Sequence, residues 1–263
     1  MCYLLLIALA DAPKVERQPL ASQAARVAQA LKLAGAPLSK EDEETLEEAK
    51  KGDEAKAVKA IQAVLDRRAL FVVRVGKKGV EAEAGAAPAE LAEQGWRVFL
   101  VKVLNPEGVE KKRLVALSPN AVPLTMRSSG KPDPLVVSVG EVKNRFLDVA
   151  MLDGNPLVPV LSGLEVEYRL MAVYCRDAGR KEASFRFRLA NADGKGDAGT
   201  SASVAATFDA VPAVLVKLKV EDFDGETKRH GRPIVAAFTF RDSQGRVHPS
   251  PARRLAPDFN FHS

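Results

Sequence analysis

The sequence predicts an α+β protein that is mainly β, with a short N-terminal helical segment followed by one or two antiparallel β-sandwich domains of the immunoglobulin-like type. Two observations lead to this prediction. Apolar residues recur at helical spacing up to about residue 68. After residue 69 they alternate with polar residues in run after run, and short turns rich in Gly, Pro, Asn and Asp separate the runs.

The chain of 263 residues is long enough for one to three domains. We predict a signal peptide over residues 1–10, a helical segment over 11–68 and a β-sandwich domain over 69–211. Residues 212–263 carry two strong strand patterns, "AVLVKLKV" and "IVAAFTF". They either begin a second immunoglobulin-like or carboxypeptidase-regulatory-like domain or supply the last strands of the first, since a two-stranded unit is marginal alone.

The N-terminus reads "MCYLLLIALADAPKVE", with an apolar run from Tyr3 to Ala10. A membrane-spanning helix needs about 20 apolar residues, so this run resembles the core of a secretory signal instead. Ala8 and Ala10 fit a cleavage site before Asp11. We therefore expect export to the periplasm or beyond; a buried N-terminal segment or a mis-chosen start codon is the alternative. No later run is long enough to span a membrane.

The helical segment is predicted from periodicity and from capping signals. Leu20, Ala24, Val27 and Leu31 form one apolar stripe, and Gly35 provides a left-handed stop. In "SKEDEETLEEAKKG" a serine precedes an acidic first turn, and in "DEAKAVKAIQAVLDRR" an aspartate takes the same place. Both are typical helix N-caps. The acidic run over residues 41–48 is ordinary first-turn chemistry rather than a cation site.

The strand segment contains one strand that should be buried on both faces. In "WRVFLVKVL" both alternating sets of side chains are apolar, which is typical of a central strand covered on each side. "ASFRFRL" alternates cleanly between apolar and polar residues and predicts a half-buried strand. "AVLVKLKV" repeats this alternation, with Val214, Val216, Leu218 and Val220 expected on the buried face.

Charge and cysteine content exclude several classes of function. The net charge is +5, but the basic runs sit at predicted turns and are mixed with acidic residues. Without interleaved exposed aromatics or a recognition helix, we do not expect nucleic-acid binding. Cys2 lies in the predicted signal and Cys175 in an apolar run, so no intrachain disulfide is expected, and no CxxC spacing indicates a metal site.

Metal ligation could use only a small set of residues. His230, His248 and His262 all lie in the last part of the chain, and none is spaced from another as metal-binding histidines on one helix or strand are. Asp222 and Asp224 resemble a fragment of a calcium loop but lack its full spacing. We therefore predict no metal, no cofactor and no catalytic residue, with these five as the candidates if a metal is bound.

Residues for covalent or acid–base catalysis are equally sparse. Ser118 and Ser162 lack the G-x-S-x-G turn of an activated serine. Glu165 and Glu167 lie on one face of a predicted strand, about 7 Å apart from the strand rise, a separation that a glycosidase pair could use. Arg169 continues the same face, so we expect a solvated, charge-balanced strand instead.

Four segments carry a resemblance to a known family: "EQGWRVFLVKVLNPEGV", "LSPNAVPLTMRSS", "RFLDVAMLDGNPLVPVLSGLEVEYRLMAVYCRDAGRKEASF" and "AAFTFRDSQGRVHPSPARRLAPDFNFH". Over roughly residues 60–262 the chain resembles the region before the catalytic domain in large exported bacterial proteins. These are the CehA/McbA-type metallohydrolases, which carry a polymerase-and-histidinol-phosphatase (PHP) domain. The metal-binding His-x-His of that domain has no counterpart here, so the resemblance transfers no catalytic residue.

The resemblance implies a function without catalysis. We expect an exported accessory or binding module that presents a neighbouring catalytic domain, which a truncated chain would lack, or that grips an envelope glycan or protein. The competing hypothesis is a metal-dependent hydrolase acting as the intact chain, with ligands gathered from His230, His248, His262 and nearby carboxylates. The sequence names neither the ligand nor the number of β domains.

Overall fold

The computed structural model describes residues 15–76, 79–121, 139–193, 195–196, 200–224, 229–233, 238–243 and 245–248. The fold is mainly β with a few helices, and this part of the predicted fold class is confirmed. No helix in the described part of the chain is both long and apolar enough to cross a membrane. The predicted signal peptide over residues 1–10 lies outside the described residues.

Three helices form the N-terminal segment: α1 (Arg17–Leu33), α2 (Lys40–Ala49) and α3 (Glu54–Asp66). Gly35 ends the first with φ of 76°. The Ser39 side chain accepts a hydrogen bond from the Asp42 N–H at 3.1 Å, and Asp53 accepts one from the Lys56 N–H at 3.1 Å. Each bond satisfies an N–H that the helix itself leaves unpaired. The predicted caps are confirmed.

Two sheets follow the helices. The strands are β1 (Ala69–Gly76), β2 (Gly79–Ala84), β3 (Glu90–Ala92), β4 (Gly95–Leu104), β5 (Arg113–Leu117), β6 (Leu147–Leu152), β7 (Val166–Cys175), β8 (Gly179–Ala190) and β9 (Val204–Val211). One sheet has the order β2-β1-β4-β7-β6, and the other has the order β3-β9-β8-β5. A 3-10 turn (Pro119–Ala121) and a short helix α4 (Val139–Asn144) lie between β5 and β6.

The sheets are not purely antiparallel, which differs from the expected arrangement. β1 pairs in parallel with β4, and β3 pairs in parallel with β9. The reason is the path of the chain. After the β1–β2 hairpin the chain enters the second sheet as β3, and it returns to the first sheet on the free side of β1, so that β4 runs in the same direction as β1. The hairpin rule of alternating direction therefore fails at this crossing.

The five-stranded sheet is covered on both faces at its central strands, β4 and β7. On one face its residues share a hydrophobic cluster with the helices, which includes Leu20, Val27, Leu31, Ile61, Leu65, Leu100 and Leu170. On the other face they share a cluster with the second sheet, which includes Phe71, Val101, Met171, Phe185, Phe187 and Phe208. The rings of Phe71 and Phe185 lie 4.9 Å apart between centroids. The prediction that the "WRVFLVKVL" strand, now β4, is covered on both sides is confirmed.

The contact between the helices and the sheet contains a polar network. The amide oxygen of Gln23 on α1 accepts a hydrogen bond from the Tyr168 N–H of β7 at 3.0 Å. This N–H lies beyond the end of the pairing with β6, which begins at Leu170. The Tyr168 hydroxyl donates to Asp66 of α3 at 2.7 Å, and Lys102 of β4 donates to the same carboxylate at 2.8 Å. Burial and the Asp66 hydrogen bond raise the pKa of Tyr168 far above its usual value.

The last described part of the chain lies outside both large sheets. Strands β10 (Glu221–Asp224) and β11 (Arg229–Pro233) form one hairpin, and β12 (Phe240–Arg241) and β13 (Val247–His248) form another. The expected "AVLVKLKV" strand is not formed, since residues 212–220 have no regular secondary structure. Both sides of β9, the strand just before it, are already paired with β3 and β8. The domain boundary expected at residue 212 stays a prediction.

Replacing Gln23 tests the helix–sheet network. We expect Gln23→Leu to lower the free energy of unfolding by about 1–3 kcal/mol, because the buried Tyr168 N–H loses its acceptor. Chemical denaturation measures the change. Gln29→Leu is the matched control, because Gln29 is exposed on the same helix and should change stability little. Equal effects of the two substitutions would contradict this role of Gln23.

Candidate functional site

The described residues place the metal-ligand candidates of the last part of the chain in two separate hairpins. His230 lies in β11, where its backbone is opposite Phe223, and Asp224 is opposite Arg229. Asp222 lies in the same hairpin, whereas His248 lies in β13, in a separate hairpin. His262 lies outside the described residues. In the described part, no group of three or more His, Cys, Asp or Glu side chains could hold a metal ion.

His248 takes part instead in a cluster of charged side chains at the surface of the sheet. Its Nε2 lies 3.1 Å from Oδ2 of Asp242 and 3.4 Å from Nη1 of Arg97 on β4. The Nε of Arg246 donates to the same Asp242 oxygen at 2.6 Å, and the Arg246 backbone N–H donates to Oδ1 at 2.9 Å. We call Arg97, Asp242, Arg246 and His248 the hairpin clamp.

The electrostatics of the hairpin clamp favour a charged Asp242. Burial by itself raises the pKa of Asp242, but hydrogen bonds from Arg246 and His248 outweigh it and hold this pKa well below its usual value. Burial lowers the pKa of Arg97, and the charge of Arg246 lowers it further. The Nε of Arg97 is buried and has no hydrogen-bond partner. The carboxylate therefore neutralises a locally crowded set of cations.

The hairpin clamp attaches the last described hairpin to the rest of the protein. The Val247 N–H donates to the Gly35 carbonyl, which follows α1, at 2.8 Å. Arg97 lies in the half of β4 that β1 leaves uncovered, since β1 pairs only with Leu100–Leu104. His248 thus touches one charged residue from its own hairpin and one from the sheet. Because its Nε2 is already engaged by Asp242, this nitrogen is a poor metal ligand.

The hairpin clamp should respond to mutation and to pH. Asp242→Asn should raise the hydrogen-exchange rate of the Val247 amide at least about ten-fold at neutral pH, because a charged hydrogen-bond acceptor is lost. The folded pKa of Asp242 is depressed, so its stabilisation is complete above the ordinary carboxyl pKa of about 3.9 and is lost as the pH falls through the folded value.

Exchange measured by NMR checks both effects. Asp148→Asn, which changes an exposed carboxylate on β6, is the matched control and should leave the Val247 amide protected. The acid-induced loss of protection should appear in the unmodified chain and be absent from Asp242→Asn. If the two variants exchange at the same rate, the hairpin is held by other contacts.

The strand face that carries Glu165, Glu167 and Arg169 is not solvated, and this corrects the sequence-based expectation. Glu167 is 0% exposed and Arg169 is 7% exposed. Their side chains form an ion pair at 2.6 Å. The expectation missed the loop between β6 and β7, which folds over this face. Arg169 donates to the carbonyls of Val158 and Val160, and the Ser162 N–H donates to Glu167 at 2.9 Å.

This buried ion pair fixes a loop rather than performing acid–base chemistry. Both oxygens of Glu167 accept hydrogen bonds from the protein, and Arg169 binds carbonyls on either side of Pro159. Glu165 is only partly buried, and its Oε2 has no hydrogen-bond partner. A glycosidase pair needs two carboxyl groups facing one substrate, whereas Glu167 is sealed from solvent.

A double-mutant cycle tests the role of the ion pair. Glu167→Leu should lower the free energy of unfolding by about 3–5 kcal/mol, since the Arg169 charge would stay buried without its partner. Adding Arg169→Leu should recover part of this loss, because the double variant buries no unpaired charge. Chemical denaturation of the four proteins gives the coupling energy. Additive effects would contradict a direct interaction.

The single nucleophile candidates also have structural roles. The Ser118 hydroxyl accepts the Asn120 N–H at 3.1 Å within a turn. Ser162 uses its backbone N–H to bind Glu167. Cys175 is buried, and its thiol donates to the Asp177 carbonyl at 3.1 Å. Burial raises the pKa of Cys175, so the reactive thiolate is disfavoured.

A shallow cavity of about 310 Å³ lies between the end of α1 and the loop after β6. Leu33, Met151, Pro156 and Leu157 are among its lining residues, so it is mostly apolar. Its one charged lining residue, Asp153, is paired with Arg113. The cavity therefore offers no free charged group to orient a substrate.

Four exposed large aliphatic residues lie close together in residues 213–220 of the described chain, which we call the strand-patterned segment. Val214 and Leu215 are 82% and 83% exposed, and Val216 and Leu218 are 59% and 54% exposed. The alternation of these residues predicts a strand with Val214, Val216, Leu218 and Val220 buried, and the exposure of the first three shows that this part of the prediction is wrong. The alternation of apolar and polar residues is the same for a face that packs inside the protein and for a face that binds a partner.

Comparisons with known proteins add little to this picture. No protein-family model matches the chain, and no curated protein matches it. Among solved structures, the secreted serine protease VesC from Vibrio cholerae is similar with a TM-score of 0.25 and 11% sequence identity. The match covers 47% of this chain and 21% of VesC, so the chain spans about a fifth of that protein. At this TM-score the similarity carries no argument about fold or activity.

Proposed function

We propose that this chain is an exported, non-catalytic accessory module that binds a partner. The strand-patterned segment is the observation that carries this proposal. It presents a row of large apolar side chains to solvent, and two of them are more than four-fifths exposed. Large contiguous apolar patches on soluble proteins usually mark interaction sites. The same proposal includes the finer fold description of one or two immunoglobulin-like β-sandwich domains, which the core shared by the two sheets supports.

The resemblance to the region before a PHP-type metallohydrolase domain suggests the biological setting. In that setting the module presents a neighbouring catalytic domain or holds an envelope glycan or protein. A protein partner fits the strand-patterned segment better than a glycan, because adjacent aliphatic side chains bury well against other aliphatic side chains. Glycan sites combine aromatic faces with hydrogen-bonding groups, whereas Val214, Leu215, Val216 and Leu218 provide neither from their side chains.

The competing function is a metal-dependent hydrolase that acts as the intact chain. One contact favours it, namely the meeting of His248 and Asp242 at 3.1 Å. A carboxylate often orients a metal-binding histidine in this way. Metal analysis of the purified protein separates the two functions. Stoichiometric zinc, manganese or iron that disappears on replacing His248 and His262 would overturn the binding-module proposal.

A peptide-display selection tests the binding surface. We expect a random peptide library to yield ligands whose affinity falls at least about ten-fold for the triple variant Val214→Ser, Val216→Ser, Leu218→Ser, since apolar contact area is lost. The melting temperature of this variant should stay unchanged because the three side chains are already exposed.

A triple variant elsewhere on the surface is the matched control. Leu33→Ser, Leu117→Ser and Val158→Ser replace three other exposed aliphatic residues, which are 61%, 41% and 47% exposed. This control should bind the selected peptides as the unmodified chain does. Ligands that bind both triple variants equally would place the binding surface elsewhere.

A further inference from the structure

We propose that the strand-patterned segment binds its partner by β-strand addition, and that the partner strand alternates carboxylate and apolar side chains. This inference rests on the proposed function and names the partner class and the mode of binding. In this mode a peptide pairs its backbone with an open strand edge, and side chains on the two faces set the specificity.

The strand-patterned segment is anchored to the protein at its start and leads into a hairpin at its end. At its start the Ala213 N–H donates to Oε2 of Glu93, which follows β3, at 2.9 Å. At its end the chain passes directly into β10, where Glu221 is opposite Pro233 of β11. A segment anchored at one end and bounded by a hairpin at the other has less conformational entropy to lose on binding than a free tail. It can therefore add a strand at a lower entropic cost.

The backbone of the strand-patterned segment has no pairing partner among the described residues. Residues 214–220 belong to no sheet in the described part of the chain. Their N–H and C=O groups form no backbone hydrogen bond with any other described residue. Unpaired backbone groups beside exposed aliphatic side chains are the features that make an edge receptive to another strand. Proteins normally protect such an edge when it has no partner.

The two faces of the segment differ in charge, and this difference specifies the partner. As a strand, residues 214, 216 and 218 would share one apolar face, and Lys217 and Lys219 would share the other face with Leu215. Lys219 pairs with Glu221 at 2.7 Å, but its side chain is 82% exposed, so this ion pair contributes little. Lys217 has no ion-pair partner among the described residues. Carboxylates opposite these lysines would form favourable cross-strand pairs.

A second copy of the chain is a poorer match than an acidic strand. Within the segment the polar face offers lysines and no carboxylate, so a second copy supplies no negative charge to meet Lys217 and Lys219. Pairing like charges across strands is destabilising. The chain as a whole also carries a net charge of +5, so two copies repel each other at low ionic strength.

Blocked octapeptides of defined sequence test the inference on the full chain. One alternates valine with glutamate, a second alternates valine with lysine, and a third repeats the first with N-methyl groups along both backbone edges. Fluorescence anisotropy at low salt measures binding. We expect only the valine–glutamate peptide to bind the unmodified chain, and the N-methylated form to fail because its strand cannot pair.

Charge reversal in the segment should exchange the preference. The variant Lys217→Glu, Lys219→Glu should bind the valine–glutamate peptide about ten-fold more weakly and gain binding to the valine–lysine peptide, as expected for two exposed ion pairs. Lys32→Glu, Lys59→Glu makes the same charge change on α1 and α3 and should keep the original preference, because both lysines are exposed on the helices.

Four results would overturn the inference. Equal binding of the two charged peptides would exclude carboxylate selection, and binding of the N-methylated peptide would exclude backbone pairing. A concentration-dependent dimer that is lost on Val216→Ser would identify a second copy as the occupant. The last result is that the display ligands depend on Val214, Val216 and Leu218 while no octapeptide binds. This result would support the binding module and exclude strand addition by an acidic partner.

Discussion

Shielding of strands β4 and β7 from water on both faces is the constraint on which the rest of the structure depends. Helices cover one face and the second sheet covers the other. Buried strands cannot leave polar groups unpaired without a large free-energy cost. The helices must therefore supply hydrogen-bond acceptors as well as apolar surface, and Gln23 and Asp66 do so for Tyr168. The same requirement explains why Glu167 and Arg169 pair with each other and with the loop between β6 and β7.

Local sequence signals predicted the local structure well. Helix caps at Ser39 and Asp53 and the two-sided burial of β4 follow from short-range chemistry, and each was predictable from a few neighbouring residues. The parallel pairing of β1 with β4 was not, because it depends on where the chain re-enters the sheet. Burial of Glu167 was missed for a related reason, since the loop that covers it is fixed by long-range packing and leaves no periodic trace.

The charged cluster and the exposed segment show the same difference between local features, which the sequence predicts, and long-range contacts, which it does not. His248 could be named from the sequence, but its contact with Arg97 joins residues 151 positions apart and has no sequence signature. The strand-patterned segment was recognised as strand-like by its alternation. Whether this segment packs within the protein could not be predicted, because alternation specifies two faces and does not say what covers them. A strand that binds a partner and a strand that packs in the core have the same sequence pattern.

The buried thiol of Cys175 is a native probe of the opening of the central sheet, because its reactivity depends on its exposure. Cys175 is the last residue of β7, where it is opposite Gly95 of β4 and Leu147 of β6. A thiol-modifying reagent can reach it only when these strands separate or the surrounding core loosens. In a chain with Cys2 replaced, the labelling rate of Cys175 would then measure how often this part of the sheet opens. No residue would have to be introduced into the core for this measurement.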